Sequence, residues 1–359
     1  MVKFHLLHIV ALPLTQAIRL FLTNDEGWDD SNIRTLYNDL SATTSHELIL
    51  CAPEIESSQT RRPFPMFNTG DEELSEDEWS DRDDDSSSSG DEGSVFDKDE
   101  KSHENDWSPL NNKARVDLHR EHWPYGFNVS DFHLNYAPFP PYITVGEGLE
   151  LLPPWLYRER DGEEEVYPDL LVVGPKIGSS LGNDWRYDRA IIAVQMAAEE
   201  ISRPSIFFAG ATGVRVTFRS DDQQLWSKIY AELAKKIIST IAQGGAPYLP
   251  EHTHLHVNFP HVTEERCNDA SQFKFILTSH SDVPDSDVPD NRPIPDPRSC
   301  KEQSFPYEQD VVKRLDGCYV SMSLVTMEIP SFQRLGPSET AKQEIIRRLD
   351  PIVSCLPDM

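Results

Sequence analysis

The chain has 359 residues and a formal net charge of −28 at pH 7, and its length suffices for one large domain or two small ones. Such an acidic chain does not suit binding to a nucleic-acid backbone or to an anionic membrane surface. Half of the charge is local, since 17 acidic and 3 basic residues lie between positions 71 and 106, so the total charge does not identify a substrate.

The first 17 residues have the layout of a secretory signal peptide. Lys3 supplies one positive charge, residues 4–14 are mostly apolar, and Ala17 places a small residue before the cleavage point. We therefore predict a signal peptide over 1–17 and a secreted protein. The alternative is an N-terminal extension or apolar strand of a cytoplasmic protein. A glycosylation sequon at Asn128 agrees with secretion. The sequence has no run of about 20 apolar residues, so no membrane span is predicted.

A strand, a tight turn and a helix are predicted next. The apolar run 18–22 stops at Asp25, Glu26 and Gly27, and apolar residues then recur at helical spacing over 31–40. In open α/β sheets, ligands bind beyond the carboxyl ends of the strands. Two carboxylates on a turn at such an end suit Mg²⁺, Mn²⁺ or Ca²⁺. The alternative is an acidic turn that caps the helix.

A second buried parallel strand is predicted at 47–53, where a short apolar run ends at a proline. Ser58 follows it in a polar segment and is, by residue type alone, an ordinary turn serine. From 68 to 111 the chain is acidic and nearly free of aliphatic residues, which predicts a disordered insertion. We expect a neutral loop insertion, with solvation, Ca²⁺ buffering or phosphorylation as alternatives.

A third strand is predicted at 167–174, and the glycine-spaced loop 175–182 follows it. Such a loop at the carboxyl end of a strand can bring backbone amides close to an anion. The loop also contains Lys176, and a protonated ammonium has no lone pair with which to ligate a cation. Lys176 can instead neutralise the two acids or hold a phosphate as a point charge.

The remaining chain alternates between helices and strands. Helices are predicted at 190–198, from 225 to the pair Gly244-Gly245, and at 338–349, and strands at 205–209, 255–260, 273–278 and 316–323. A duplicated Ser-Asp-Val-Pro-Asp within 281–297 predicts a flexible loop.

Neither the histidines nor the cysteines predict a metal site. Four histidines surround the strand at 255–260, but no carboxylate completes a set of ligands, so we favour a structural interpretation. These are His252, His254, His256 and His261. The five cysteines have no Cys-x-x-Cys spacing, which argues against a zinc ribbon. Cys51 lies in an apolar run and is predicted to be a small buried hydrophobic residue.

Four segments resemble one known family. Residues 22–27, Leu-Thr-Asn-Asp-Glu-Gly, resemble the opening signature of the SurE family of metal-dependent phosphatases and nucleotidases. The segments at 168–175, 255–260 and 317–323 resemble later motifs in the same order. The resemblance implies that Asp25 and Glu26 bind the metal and that Ser58 joins them.

This sequence departs from the family pattern at positions that bear on the chemistry. The second acid of the signature is Glu26 where the family usually has Asp, and Lys176 stands where the family has an asparagine ligand. Residues 187–191, Tyr-Asp-Arg-Ala-Ile, replace the Tyr-Ser-Gly-Thr-Val that lines the family's phosphate site, so both hydroxyls are absent. Arg189 could bind phosphate, but Asp188 beside it would oppose that.

The resemblance and the alternation of strands with helices imply the same α/β architecture. We predict a three-layer αβα, Rossmann-like core with a mainly parallel sheet and a β-rich C-terminal extension. The domain comprises 18–67 and 112–330, and 331–359 form a helical tail. Because family members dimerise through the extension, the resemblance also implies a homodimer.

The resemblance implies a phosphomonoester hydrolase of the acid phosphatase or 5′-nucleotidase type. Its substrate would be a small phosphorylated molecule such as a nucleotide, and its cofactor a divalent ion, Mg²⁺ or Mn²⁺. Asp25 and Lys176 would be catalytic, and Asp25, Glu26 and Ser58 would hold the metal. The alternative is a non-catalytic binding or structural protein of the same fold, because the departures concentrate at the site.

Overall fold

The structure is a computed structural model that describes residues 17–55, 112–158, 165–182, 188–250, 252–279, 305–328, 333–335 and 338–357, together with positions 160 and 184. The following predicted features lie outside the described residues: the signal peptide apart from its last residue, Ser58, the acidic insertion 68–111 and the loop 281–297.

Helices and strands alternate through the described part of the chain. The strands are β1 (Arg19–Thr23), β2 (Glu47–Pro53), β3 (Gly126–Asn128), β4 (Asp131–Ala137), β5 (Leu170–Ile177), β6 (Ser205–Gly210), β7 (Thr253–Phe259), β8 (Phe273–Thr278), β9 (Cys318–Glu328) and β10 (Gln333–Leu335). The helices are α1 (Ser31–Thr43), α2 (Asn112–His122), α3 (Pro141–Leu151), α4 (Pro153–Leu156), α5 (Arg189–Glu200), α6 (Leu225–Gln243), α7 (Glu308–Val312) and α8 (Glu339–Leu349).

All ten of these strands join one mixed sheet. Its order is β10-β9-β7-β6-β5-β1-β2-β4-β3, and β8 also pairs with β9. The six strands from β7 to β4 run parallel, β3 and β9 are antiparallel to their neighbours in that block, and β8 runs parallel to β9. The predicted α/β class with a mainly parallel sheet is confirmed, and the C-terminal strands continue the same sheet.

Helices cover both faces of the sheet because its strands are apolar on both faces. Successive side chains of a strand point to opposite faces, so Leu20 and Leu22 pack with α1 and α6 while Phe21 packs with α3 and α5. This sandwich gives three layers and two apolar cores. It leaves the carboxyl ends of the parallel strands as the edge where polar turns are exposed together.

Capping residues mark where several helices begin. The side chains of Asp30, Asp188 and Ser338 accept hydrogen bonds from backbone amides in the first turns of α1, α5 and α8, which satisfies donors that have no partner within the helix. Pro141 begins α3, where its missing amide and fixed φ cost nothing. The predicted helix at 338–349 is confirmed, and Ser338 is its N-cap.

Two glycines of α3 provide an internal test of the packing. A methyl group added at Gly146 would meet no atom within 4 Å, whereas at Gly148 it would lie 2.8 Å from Cys51 Sγ and 3.0 Å from Phe21 Cζ. Gly146→Ala is therefore expected to raise the free energy of unfolding by about 0.5–1 kcal/mol through helix propensity. Gly148→Ala is expected to lower it by about 1–3 kcal/mol through overpacking. Urea unfolding measures both changes, and equal signs would contradict this packing.

Three buried cysteines comprise a free one and a bonded pair. Cys51 is fully buried, as predicted, and is free, and a disulfide joins Cys267 to Cys318. This bond ties the segment before β8 to the start of β9. Over the residues described, no helix has the length and apolarity needed to cross a membrane.

Candidate active site

The turn after β1 projects two acids from the carboxyl edge of the sheet. Asn24 Oδ1 accepts a hydrogen bond from the Gly27 amide at 3.2 Å, and Gly27 has a φ of +107°, a conformation that glycine adopts without steric cost. Since β1 lies between β5 and β2, this turn places Asp25 and Glu26 within reach of the turns that follow both neighbours.

Two carboxylate oxygens of this turn have no hydrogen-bond partner. Glu26 Oε1 accepts the Ile177 amide at 2.7 Å, but Glu26 Oε2 is buried without a partner. Asp25 Oδ1 is also buried and unpaired. Buried carboxylate oxygens are normally satisfied by donors or by a cation, so this pair has the character of an incomplete ligand set.

Lys176 contacts a different acid from the two that the sequence suggested. Its ammonium at the end of β5 donates to Asp188 Oδ2, and the two side chains are 16% and 1% exposed. Asp188 is also the N-cap of α5, where its Oδ1 accepts the Ile191 amide at 3.0 Å. Asp188 therefore has a role that the sequence did not indicate, because it neutralises Lys176.

Ionisation of the two acids is disfavoured despite the lysine. Burial and the Asp188 carboxylate raise the pKa of Asp25 to about 6, although Lys176 acts in the opposite direction. Burial, Asp25 and Asp30 raise the pKa of Glu26 well above its usual value. Burial lowers the pKa of Lys176, but Asp188, Asp25 and Glu26 outweigh it, so the pKa of Lys176 lies above its usual value and the ammonium stays protonated.

Asp30 makes the stability of the folded protein depend on pH. Burial raises its pKa from 3.8 to about 6, against the hydrogen bond from the Asn32 amide. The folded protein therefore keeps the Asp30 proton at pH values where the unfolded chain has lost it. The contribution of Asp30 to the free energy of unfolding is complete below about pH 4 and is lost as the pH rises through about 6.

The variant Asp30→Asn keeps a capping oxygen but does not titrate. Its loss of unfolding free energy between pH 4 and 7 is expected to be smaller than that of the wild type by about 1–3 kcal/mol. Urea unfolding at both pH values measures this difference, and parallel pH profiles of the two proteins would contradict it.

An arginine that the sequence analysis did not single out holds the turn from the other side. Arg215 Nε donates to Glu26 O at 2.8 Å, and Nη2 donates to Asp29 Oδ1 at 2.6 Å. The same segment accepts the Ser31 amide at Val216 O, 2.8 Å away. Arg215 lies 189 residues from Glu26 in the chain, so no local spacing could have indicated the contact.

Three amides of the predicted anion cradle in the loop 175–182 are not available for a ligand. The Gly178 amide donates to Gly210 O at 2.9 Å, the Ser180 amide to Asn258 Oδ1 at 2.8 Å, and the Gly182 amide to Glu308 Oε1 at 2.6 Å. These amides hold the loop against β6, β7 and α7. That interpretation is therefore wrong for the three amides.

The histidines around β7 have structural roles. His254 is buried and its Nδ1 lies 2.6 Å from Ser205 Oγ, while His252 Nδ1 lies 2.6 Å from Glu199 Oε2. Ser205 and His254 lie at the amino ends of their strands, at the edge opposite Asp25. The structural interpretation of these two histidines agrees with this placement.

The residues present fit a divalent cation only in part. In the described ranges, no group of three His, Cys, Asp or Glu side chains is arranged to hold a metal ion. Asp25 and Glu26 nevertheless offer two unpaired hard oxygens in negative surroundings, which suit Mg²⁺ or Mn²⁺. The predicted third ligand, Ser58, lies outside the described residues, and Lys176 contributes a cation instead of an oxygen.

Comparison with known proteins yields likenesses in structure but none in sequence. No protein-family profile matches the chain, and no curated protein matches it in sequence. The fold is similar to that of the SurE protein from Aquifex aeolicus, with 16% sequence identity, a TM-score of 0.47, and coverage of 92% of this chain and 99% of the other. The assignment of the fold class rests on the strand order and layers described above.

Proposed function

We propose that the chain is a divalent-metal-dependent phosphomonoester hydrolase of the acid phosphatase or 5′-nucleotidase type, acting on small phosphorylated molecules such as nucleotides. The observation that carries the proposal is the pair of buried, unpaired oxygens, Asp25 Oδ1 and Glu26 Oε2. They lie at the carboxyl end of a central parallel strand, where ligands of such sheets bind. A divalent cation would neutralise the charge that Lys176, already paired with Asp188, leaves in excess.

Each site residue has a defined role in this proposal. Asp25 and Glu26 would hold Mg²⁺ or Mn²⁺, with Ser58 as the third protein ligand. When bound, such an ion would supply Lewis-acid polarisation of a phosphoryl oxygen and of a water molecule. Lys176 uses one N–H to bond Asp188 and can direct another to a phosphoryl oxygen, since an ammonium has three donors. In this proposal, the Lys176 ammonium places a positive charge next to the substrate, where the family has the amide of an asparagine ligand.

Chelation tests the proposal. The wild-type protein is expected to hydrolyse an aryl phosphate between acid and neutral pH when Mg²⁺ or Mn²⁺ is present, and to lose this activity with a chelator. Activity that a chelator does not change, or no activity with any divalent ion, would contradict the proposal.

A second candidate function is a non-catalytic protein that kept the fold and lost the metal. The observation that favours it is the position of the Lys176 ammonium, which is held by Asp188 where the family has an asparagine ligand. If the protein is non-catalytic, the wild type does not hydrolyse an aryl phosphate, and a divalent metal does not raise its melting temperature. The variant Lys176→Asn separates the two, because activity gained only in the variant would identify the lysine as the cause of the loss.

The proposal includes secretion and a homodimer. Secretion is supported by the disulfide between Cys267 and Cys318, since disulfides persist in oxidising compartments. Peptide mapping of protein isolated from its natural source should recover the two cysteines as a linked peptide, and free thiols at both positions would contradict secretion.

Light scattering should give about twice the mass of one chain, and the mass of a single chain would exclude the homodimer.

A further inference from the structure

We infer that Arg215 binds the phosphoryl oxygens of an anionic substrate at the site formed by Asp25 and Glu26. The inference rests on the proposed function, because it assigns the phosphate-recognition residue of the same site. Arg215 belongs to the segment between β6 and α6, which carries none of the motifs that the sequence resembles.

The segment 213–215 passes over the two turns that form the site. A methyl group added at Gly213 would lie 3.6 Å from Ile177 Cγ1, and one added at Gly27 would lie 3.5 Å from Arg215 Nη2. The Ile177 amide donates to Glu26 Oε1, so the two turns are joined directly beneath the segment. The guanidinium therefore lies beside the turn that carries both acids.

Two hydrogen bonds hold the guanidinium in place, and some of its N–H donors remain without a partner among the described residues. Arg215 Nε and Nη2 donate to Glu26 O and Asp29 Oδ1, while Nη1 makes no hydrogen bond to any described residue. The side chain is 28% exposed, so a ligand can reach its free edge. A planar fork held in place in this way binds a phosphate without first losing rotamer freedom.

The other phosphate-binding groups expected at this edge are absent, occupied or already paired with an acid. Residues 188–190 carry no hydroxyl, the amides of Gly178, Ser180 and Gly182 donate to protein acceptors, and Lys176 is bonded to Asp188. Arg215 differs from Lys176 in that its free donors belong to a planar guanidinium, whose geometry matches that of a phosphate. Charge and geometry therefore assign the phosphate to it.

Binding of inorganic phosphate to the full chain in the presence of Mn²⁺ tests the inference by calorimetry, without any need for turnover. Arg215→Gln is expected to weaken phosphate binding roughly tenfold or more, the effect of losing a charge-assisted hydrogen bond. Arg215→Lys keeps the charge but loses the fork, and an intermediate loss is expected. The matched control is Asp29→Asn, which breaks the same ion pair but retains the guanidinium, and its phosphate affinity is expected to stay within about threefold of the wild type.

Equal losses in Arg215→Gln and Asp29→Asn would show that Arg215 only braces the turn, and would overturn the inference. Unchanged affinity in Arg215→Gln, or no phosphate binding by the wild type, would overturn it as well. Thermal unfolding of each variant shows whether the fold persists, and Arg215→Lys serves if Arg215→Gln does not fold. Phosphate binding that depends on Arg215 in a protein without hydrolytic activity would support the inference and contradict the proposed function.

Discussion

Asp25→Asn is expected to lower metal-dependent hydrolysis of an aryl phosphate by roughly a thousandfold, because several kcal/mol of transition-state stabilisation by the cation are lost with its ligand. Asparagine has nearly the shape of aspartate but lacks the charge. Asp25 Oδ1 makes no hydrogen bond that the substitution would break, so the fold should tolerate the change. The measurement is the initial rate of hydrolysis at a saturating Mn²⁺ concentration.

The control for this variant is Asp221→Asn, an exposed aspartate in the segment before α6, which should retain full activity. Without metal, Asp25→Asn should be at least as stable at pH 7 as the wild type, because it removes a carboxylate whose pKa burial raises to about 6. A variant that folds and hydrolyses at the wild-type rate would remove Asp25 from the chemistry.

Lys176→Met is expected to lower the free energy of unfolding by about 3–5 kcal/mol, the usual cost of removing one partner of a buried ion pair. The substitution leaves Asp188, which is 1% exposed in its side chain, without its counter-charge and next to Asp25 and Glu26. Urea unfolding at pH 7 without added metal measures the loss.

Two further variants show whether the loss comes from that pair. The double variant Lys176→Met, Asp188→Asn should regain much of the stability, because it no longer buries an unpaired charge. Lys235→Met breaks a pair with Asp39 in which both side chains are partly exposed, and it should cost less than about 1 kcal/mol. A Lys176→Met variant no less stable than Lys235→Met would contradict a buried ion pair at this site.

Most of the sheet could be predicted because buried parallel strands appear in the sequence as short apolar runs. β1, β2, β5 and β6 are such runs. β4 escaped prediction because polar residues alternate with its apolar ones and break the apolar run. One of them, Asn135, is fully buried, and its Oδ1 accepts a hydrogen bond from His119 Nε2 at 2.9 Å. A buried polar pair of this kind depends on α2, and no local pattern predicts it.

The candidate site could be predicted only where the sequence carries a local motif. Asp25 and Glu26 follow directly from the end of an apolar run. Asp188 and Arg215 join them because β5 and β6 follow β1 in the order of the sheet, although the residues lie far apart in the chain. The predicted amide cradle was wrong for a related reason, since its acceptors Asn258 and Glu308 come from distant elements.

Titration of the metal-free protein with Mn²⁺, with bound ion and hydrolysis rate followed in the same sample, tests the central claim most directly. The account predicts that one Mn²⁺ binds per chain, that the rate rises in proportion to the bound ion, and that Asp25→Asn neither binds the ion nor hydrolyses the substrate. Hydrolysis without bound Mn²⁺, or Mn²⁺ binding that Asp25→Asn leaves unchanged, would contradict a metal-dependent site at Asp25 and Glu26.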